Sequence, residues 1–479
     1  MKVLVLNPPY VKYYCRTERW AARTRGRTLR PPDWLAYATA VLEKEGHETK
    51  LVDGPALDLS KRQIKEIVES FKPDVAILDC CTPSVYSDIE YAKLCKEIAG
   101  CTTVFVGPHV SALPDETARL ARGAVDYFIV GEYDYTVRDL VESIEKGAPK
   151  NSIDGILYWQ GNELRRNKPR QLIEDLDKLP FPAWHHINIW KYYDGTKLYP
   201  YITCIAGRGC PHRCTFCLWP QVMHGRRYRL RSPENVIDEM EYDLKLFPML
   251  KEIMFEDDTL TADRKRLNRL CDGILERGLN ITWSANARAD FCDVNLLKKM
   301  KKAGCRMLVV GFESGNDRIL KNINKGITTA IAKKFASACK EAGIKVHGCF
   351  MIGLPGETRN MALQTIKFAK ELDLDTIQIS AAVPFPGTEF FKYCQDRGFL
   401  KLRDWTEYLD SRGEQATFVS YPELNSVEIN MLVDRGLKEF YFKDPRKWLG
   451  LVLETKSFSD FKRKFYGFKS LIEYFLKRY

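Results

Sequence analysis

Three cysteines carry the sharpest chemical signal in the chain. The run Gly207-Arg208-Gly209-Cys210-Pro211-His212-Arg213-Cys214-Thr215-Phe216-Cys217 spaces them as C-x3-C-x2-C, so that three thiolates can face one point. Soft sulfur ligands suit iron-sulfur clusters or zinc. Three are one too few to close a tetrahedral zinc site or a four-iron cluster, and an open metal corner is what binding at the metal requires. A structural zinc loop completed by His212 or His224, or a chance grouping, is the alternative.

Other polar residues stand where strand-like runs end. Phe255-Glu256-Asp257-Asp258 presents carboxylates that favour a cation, although acids after a strand also serve as ordinary helix caps. Arg288 closes Ser284-Ala285-Asn286-Ala287-Arg288 with a fork suited to a carboxylate, or to a surface salt bridge. Gly311-Phe312-Glu313-Ser314 and Gly353-Leu354-Pro355-Gly356-Glu357 end two further runs.

The elements that must hold these residues follow from the apolar pattern. From residue 200 to about 410, six strand-like runs (201–206, 252–257, 282–287, 307–313, 345–352 and 376–383) are each followed by a helix-like segment. That pattern predicts a complete or partial (β/α)6 barrel of TIM type, with its chemistry at the strand C-terminal ends. Residues 1–145 alternate similarly, with strands at 2–6, 48–53, 74–80, 102–107 and 126–131, and predict a doubly wound, Rossmann-like parallel sheet. Ligands of such a sheet lie at the strand carboxyl ends, which carry Asn7-Pro8-Pro9, Cys80 to Ser84, Gly107-Pro108-His109 and Gly131-Glu132. The absence of G-x-G-x-x-G after the first strand argues against an ordinary dinucleotide site. Residues 146–199, with a hairpin around Gly161-Asn162, read as a connector, and residues 411–479 as a helical, basic C-terminal region.

Composition agrees with a multidomain α/β protein. The 479 residues are 45% apolar and 29% charged, outside the disordered class and too many for one core. No apolar run reaches the roughly 18–20 residues of a spanning helix. The apolar start after Lys2 is shorter than the roughly 7–15 residues of a signal-peptide core, and fifteen cysteines without such a core point to a reducing, cytoplasmic setting where thiols bind metal. The net charge of +11 permits anionic partners. Between Arg435 and Tyr479 stand 12 basic and 5 acidic residues among many aromatics, which suits either the plane of an anionic membrane or a cap over the barrel. No RNA-binding motif accompanies the charge, so nucleic acid is not expected.

The cysteine loop, with Phe216 before its last thiol, resembles the signature of the radical S-adenosylmethionine superfamily. That resemblance implies a 4Fe-4S cluster on Cys210, Cys214 and Cys217, whose fourth iron chelates S-adenosylmethionine. It also implies S-adenosylmethionine contacts from Phe216, Asp257, Asp258, Arg288, Glu313, Ser314, Met351 and Gly353, and an external one-electron reductant such as flavodoxin or ferredoxin. An α/β domain, then a connector, then the cysteine loop resembles the cobalamin-binding subclass. Cobalamin contacts are then expected from Pro8, Pro9, Thr82, Ser84, Gly107, His109, Gly131 and Glu132. With no D-x-H-x-x-G in the sequence, cobalt is expected to lack a protein imidazole.

Cys217-Leu218-Trp219-Pro220-Gln221, His224–Arg229 and Pro31–Tyr37 resemble hopanoid-biosynthesis radical S-adenosylmethionine proteins of the J type. This implies a lipid-linked, hopanoid substrate whose sugar is contracted to a cyclitol ether, with the protein peripheral on the inner membrane face. Cobalamin-dependent C-methylation is the alternative chemistry, and a non-catalytic iron-sulfur carrier or sensor the remote one.

Overall fold

The near-continuous apolar run KVLVLN forms β1 (Lys2–Asn7), buried from Val3 onward, because such a strand is stable only with neighbours on both edges and cover on both faces. In the computed structural model, which describes residues 1–16, 21–290, 293–442, 465 and 469, its neighbours are β2 (Glu48–Asp53) and β3 (Val75–Asp79), both parallel. With β4 (Thr102–Val106) and β5 (Tyr127–Ile129) the parallel order is β2-β1-β3-β4-β5. The winding reverses between β1 and β3, where doubly wound sheets open a ligand crevice. Helix α1 (Asp33–Lys44) covers the face of this sheet that is turned to the second domain.

The connector differs from the sequence expectation. β6 (Ile156–Gln160) and β7 (Glu163–Arg166) form the expected hairpin around Gly161, but the hairpin adds antiparallel to β5 and makes a seven-stranded sheet. Buried Ile156, Leu157 and Tyr158 continue the core of that sheet, so the first domain extends to residue 166.

The second sheet has six parallel strands in chain order: β8 (Tyr201–Cys204), β9 (Glu252–Phe255), β10 (Thr282–Ala287), β11 (Cys305–Glu313), β12 (Lys345–Ile352) and β13 (Thr376–Ala381). It is the partial barrel that six βα units predict. The cysteine loop leaves β8 and ends in the short helix α2 (Leu218–Val222). One buried apolar cluster runs from the first sheet through α1, Trp184 and Trp219 into the barrel.

Beyond residue 410 the expected run of helix is broken. Isolated bridges pair Leu409 with Gln415, Leu400 with Val419 and Tyr421 with Leu424, and helix α3 (Ser426–Tyr441) begins only at the Asn425 cap. Gly413, at φ +75°, and Pro422 oppose earlier helix. α3 packs on β13, with Phe440 buried and the Tyr441 hydroxyl donating to Ile377 O at 2.7 Å. These first aromatics of the basic segment are therefore barrel cap, and the rest of the expected tail, apart from 465 and 469, falls outside the described residues. No described helix is long and apolar enough to cross a membrane.

Candidate active site

The cysteine loop is held at its base by an antiparallel pair, Gly207–Arg208 against Arg229–Leu230. Gly209 turns the chain with φ +88°, and a Cβ there would lie 2.3 Å from Arg227 O, so only glycine fits. Its N–H donates to Asp258 Oδ2 at 3.0 Å. Cys210 and Cys214 are buried and Cys217 is half-buried at the N-terminus of α2.

All three thiols line one cavity of about 680 Å³ inside the barrel. Zinc–sulfur bonds of about 2.3 Å would bring tetrahedral sulfurs within about 3.8 Å of each other. Among the described residues, the three sulfurs are not a set converging within 4.8 Å. Three thiols on one cavity, with no fourth protein ligand required, suit a polynuclear cluster with one open iron. Of the two histidines of the zinc alternative, His224 is engaged elsewhere, stacked on Trp219 with ring centroids 5.1 Å apart and with its Nδ1 facing Asp258.

Positive charge surrounds Cys214. The Arg288 guanidinium lies 3.8 Å from its Sγ, donates to both Asp290 oxygens at 3.1 and 2.9 Å, and donates to Lys325 O at 2.6 Å. Lys325, almost fully buried, is held 2.8 Å from Glu313. Burial alone would lower the Lys325 pKa, but Glu313 and Cys214 raise it, so the ammonium stays charged. Glu313 follows a β-bulge and takes φ +64°, which swings its carboxylate back over Gly311. A Cβ on Gly311 would lie 2.2 Å from Glu313 Oε1, so the pair requires glycine beneath it.

Of the residues expected to contact S-adenosylmethionine, Phe216, Asp258, Arg288, Glu313 and Met351 line this cavity with the three cysteines. Three are placed elsewhere. Asp257 turns away from the cavity, accepting from Ala206 N–H at 2.9 Å and Tyr228 O–H at 2.6 Å, and burial raises its pKa to about 6. Ser314 is fully buried against the Thr365 hydroxyl. The Gly353 N–H donates to Glu357 at 2.6 Å and its carbonyl accepts from Tyr421 O–H at 2.9 Å, so that backbone braces the loop.

Lys325 gave no sequence signal, because it reaches the cavity from a loop between helices. His347 and Cys349 were legible in principle: with Met351 they alternate along β12 and face the same cavity. Burial lowers the His347 pKa to about 4, and Nδ1 lies 2.8 Å from the Thr376 hydroxyl.

At the first sheet's carboxyl edge, Gly107 lines a hollow of about 20 Å³ with Asn7, Arg16, Asp79, Pro108 and Tyr133. Trp34, Trp219 and Met223 close it from the barrel side. Pro8 O accepts from Arg16 Nε at 2.7 Å, Pro9 packs under Gly54, and Ser84 is tied to Arg16 and Asp88 at 2.9 and 2.8 Å. Gly131, at φ +81°, has no atom within 4 Å of where a Cβ would stand. His109 is fully buried with Nδ1 3.1 Å from Thr82 Oγ1, and burial lowers its pKa to about 3.

Glu132 is a correction. It is buried in a bidentate pair with Arg229 and also accepts from Ile173 N–H at 3.0 Å, because a carboxylate enclosed between two domains needs cationic and N–H partners. The edge suits a corrinoid in kind, with glycines, small polar groups and a buried Asn7 Oδ1 that no donor reaches. A corrin is far larger than this hollow, over which Trp34 and Trp219 stand.

Residues 204–369 match the family description "Radical SAM superfamily" and residues 25–141 "B12 binding domain". A Pyrococcus horikoshii protein named an uncharacterized methyltransferase is 35% identical over 460 residues, 96% of each chain. The anaerobic magnesium-protoporphyrin IX monomethyl ester cyclase of Rubrivivax gelatinosus is 27% identical, covering 97% of this chain and 84% of its own. Among solved structures, the radical S-adenosylmethionine methyltransferase TsrM from Kitasatospora setae, with cobalamin and a [4Fe-4S] cluster bound, superposes with TM-score 0.71 at 17% identity over 98% of both chains.

Proposed function

The chain belongs to the cobalamin-dependent radical S-adenosylmethionine superfamily and is an enzyme of that class, and within it we propose that it transfers a methyl group to a small-molecule substrate. The reading rests on the full-length 35% identity to a protein named a methyltransferase. In the structure, the observation that supports it is one cavity joining the three cysteines, Asp258, Arg288 and Glu313 to the barrel interior.

When bound, the cluster, S-adenosylmethionine and cobalamin supply a 5′-deoxyadenosyl radical and a transferable methyl group, with electrons from an external reductant. The chain's own residues bind and position. Arg288, its fork taken by Asp290, and Lys325 place positive charge beside Cys214, while Asp258 and Glu313 present carboxylates to an amine. The barrel walls hold the substrate C–H bond at the reacting carbon and exclude competing hydrogen donors. His347, neutral because burial lowers its pKa, lies farther along the cavity and can hydrogen-bond the substrate.

A ring contraction on a hopanoid sugar, expected from the sequence, gives way to methyl transfer. The relatives above are named for methyl transfer or porphyrin-ester cyclisation. In the test, anaerobically reconstituted protein receives S-adenosylmethionine labelled in its methyl group, a reductant and a small-metabolite extract. Labelled product should form together with 5′-deoxyadenosine. If 5′-deoxyadenosine accumulates while the label is found only in S-adenosylmethionine and in the methionine that its cleavage releases, the methyl-transfer reading falls and a cyclase or rearrangement takes its place.

A further inference from the structure

Two imidazoles and a carboxylate converge at a point remote from the barrel cavity. Glu43 stands in the last turn of α1, and His185 and His186 are adjacent on the turn Trp184–His186 of the connector. Glu43 Oε1 lies 3.0 Å from His185 Nε2 and 2.8 Å from His186 Nε2, and the three atoms lie within 4.8 Å of one another. Metal–nitrogen bonds of about 2.1 Å put neighbouring ligand atoms about 3.0 Å apart in an octahedron and about 3.4 Å apart in a tetrahedron. The carboxylate oxygen already stands at about that spacing from each imidazole.

The scaffold holds them there. Trp184 is fully buried, and Ala183 N–H donates to Ala36 O at 3.1 Å, which pins the histidine turn onto α1. From β2 the Thr49 hydroxyl donates to Glu43 Oε1 at 2.8 Å, an outer contact of the kind that orients a ligating carboxylate. Side-chain exposure of 47% at His185, 29% at Glu43 and 19% at His186 leaves further coordination positions open to water.

We propose that Glu43, His185 and His186 bind a first-row divalent transition metal of the zinc class, separate from the cysteine loop, and that the metal clamps the connector to the first domain. Two imidazoles with one carboxylate suit such ions, whereas magnesium and calcium prefer oxygen ligands alone.

The test uses full-length protein with its iron-sulfur cluster reconstituted, so that the loop cysteines are occupied, and Co(II) as the probe. Equilibrium dialysis and visible d–d absorption should show one further Co(II) per chain, displaced by Zn(II). His185→Ala and His186→Ala should each abolish it, and Thr49→Val should weaken it about tenfold. Zn(II) should raise the melting temperature of the wild type and leave that of the His185→Ala/His186→Ala variant unchanged. Wild type that takes up no further Co(II), or a double variant that retains it, overturns the proposal.

Discussion

Arg208 and Asp134 fasten the cobalamin-binding domain to the root of the cysteine loop. The guanidinium donates to both carboxylate oxygens at 2.7 and 3.0 Å, with side-chain exposures of 2% and 3%. Arg208 stands two residues before Cys210, so the loop that holds the cluster is registered directly against the first sheet. Next to it Glu132 grips Arg229, the partner of Arg208 in the strand pair that brackets the loop.

Removing Asp134 leaves the buried Arg208 guanidinium with only Glu132, 3.8 Å away and already paired with Arg229. Asp134→Ala should cost about 3–5 kcal/mol of unfolding free energy, and Arg208→Met/Asp134→Leu less than the single change, because both charges then leave together. Chemical denaturation of the three proteins checks this. A single variant as stable as wild type would show that the pair carries no load between the domains.

Cys210→Ala, Cys214→Ala and Cys217→Ala should each abolish cluster assembly and 5′-deoxyadenosine formation, while Cys204→Ala and Cys305→Ala should spare both. Cys204 and Cys305 are buried in strands β8 and β11. Iron and sulfide content with cluster absorbance reads the first property, and product chromatography the second. A cluster-free Cys204 variant beside an active Cys214 variant would reverse the ligand assignment.

The cysteine loop and the six strands behind it were legible because both are local. Ligand spacing and strand period lie within a few residues, and 282–287 and 345–352 are strands with the expected bounds. What the sequence concealed is what distant segments decide together. Asp257 and Asp258 are adjacent and chemically alike, yet Tyr228 and the Ala206 N–H take the first and leave the second facing the cavity. Glu132 resembled a sheet-edge ligand until Arg229, from the other domain, claimed it. Likewise Lys325 acquires its role from Glu313, at the end of β11, and Cys214, in the loop after β8, which the folded sheet brings beside it.

That role gives a third prediction. Lys325→Met removes one of two cations beside Cys214 and leaves Glu313 buried without its ammonium. Cleavage of S-adenosylmethionine should fall at least about tenfold, the equivalent of one pKa unit on a neighbouring charge. Lys325→Arg should recover part of it. The rate of 5′-deoxyadenosine formation under excess reductant, normalised to cluster content, is the measurement, and an unchanged rate in Lys325→Met would remove Lys325 from the site.

Asp33 supplies the pH test. It sits at the start of α1, fully enclosed, and hydrogen-bonds Thr203 on β8. Burial raises its pKa to about 8, against the partial relief of the Thr203 bond. With the folded value above the unfolded one, the folded state holds more protons between about pH 4 and pH 8, so this group's contribution to stability declines as pH rises through that window. Asp33→Asn, which cannot ionise, should narrow the wild-type advantage or reverse it as pH goes from 5 to 8 in denaturant titrations. Parallel curves for the two proteins would mean that Asp33 is ionised throughout.

The last prediction concerns entry of cobalamin. Trp34 packs at a tilt against His224 and Trp219, with ring centroids 4.2 and 5.5 Å apart, and the Arg208 guanidinium lies 4.8 Å over its ring. This layer covers the hollow at Gly107, which is far too small for a corrin. If its displacement limits uptake, Trp34→Ala should speed the association of hydroxocobalamin with the apoprotein, whatever it does to final affinity, because truncation removes stacking that must break before the ring can enter. Trp190→Ala, at an exposed surface position, should leave the rate as it is. Stopped-flow absorbance of the corrin band separates association from dissociation. A Trp34→Ala rate equal to wild type would show that the layer opens freely, and a slower one that Trp34 guides the corrin in rather than shutting it out.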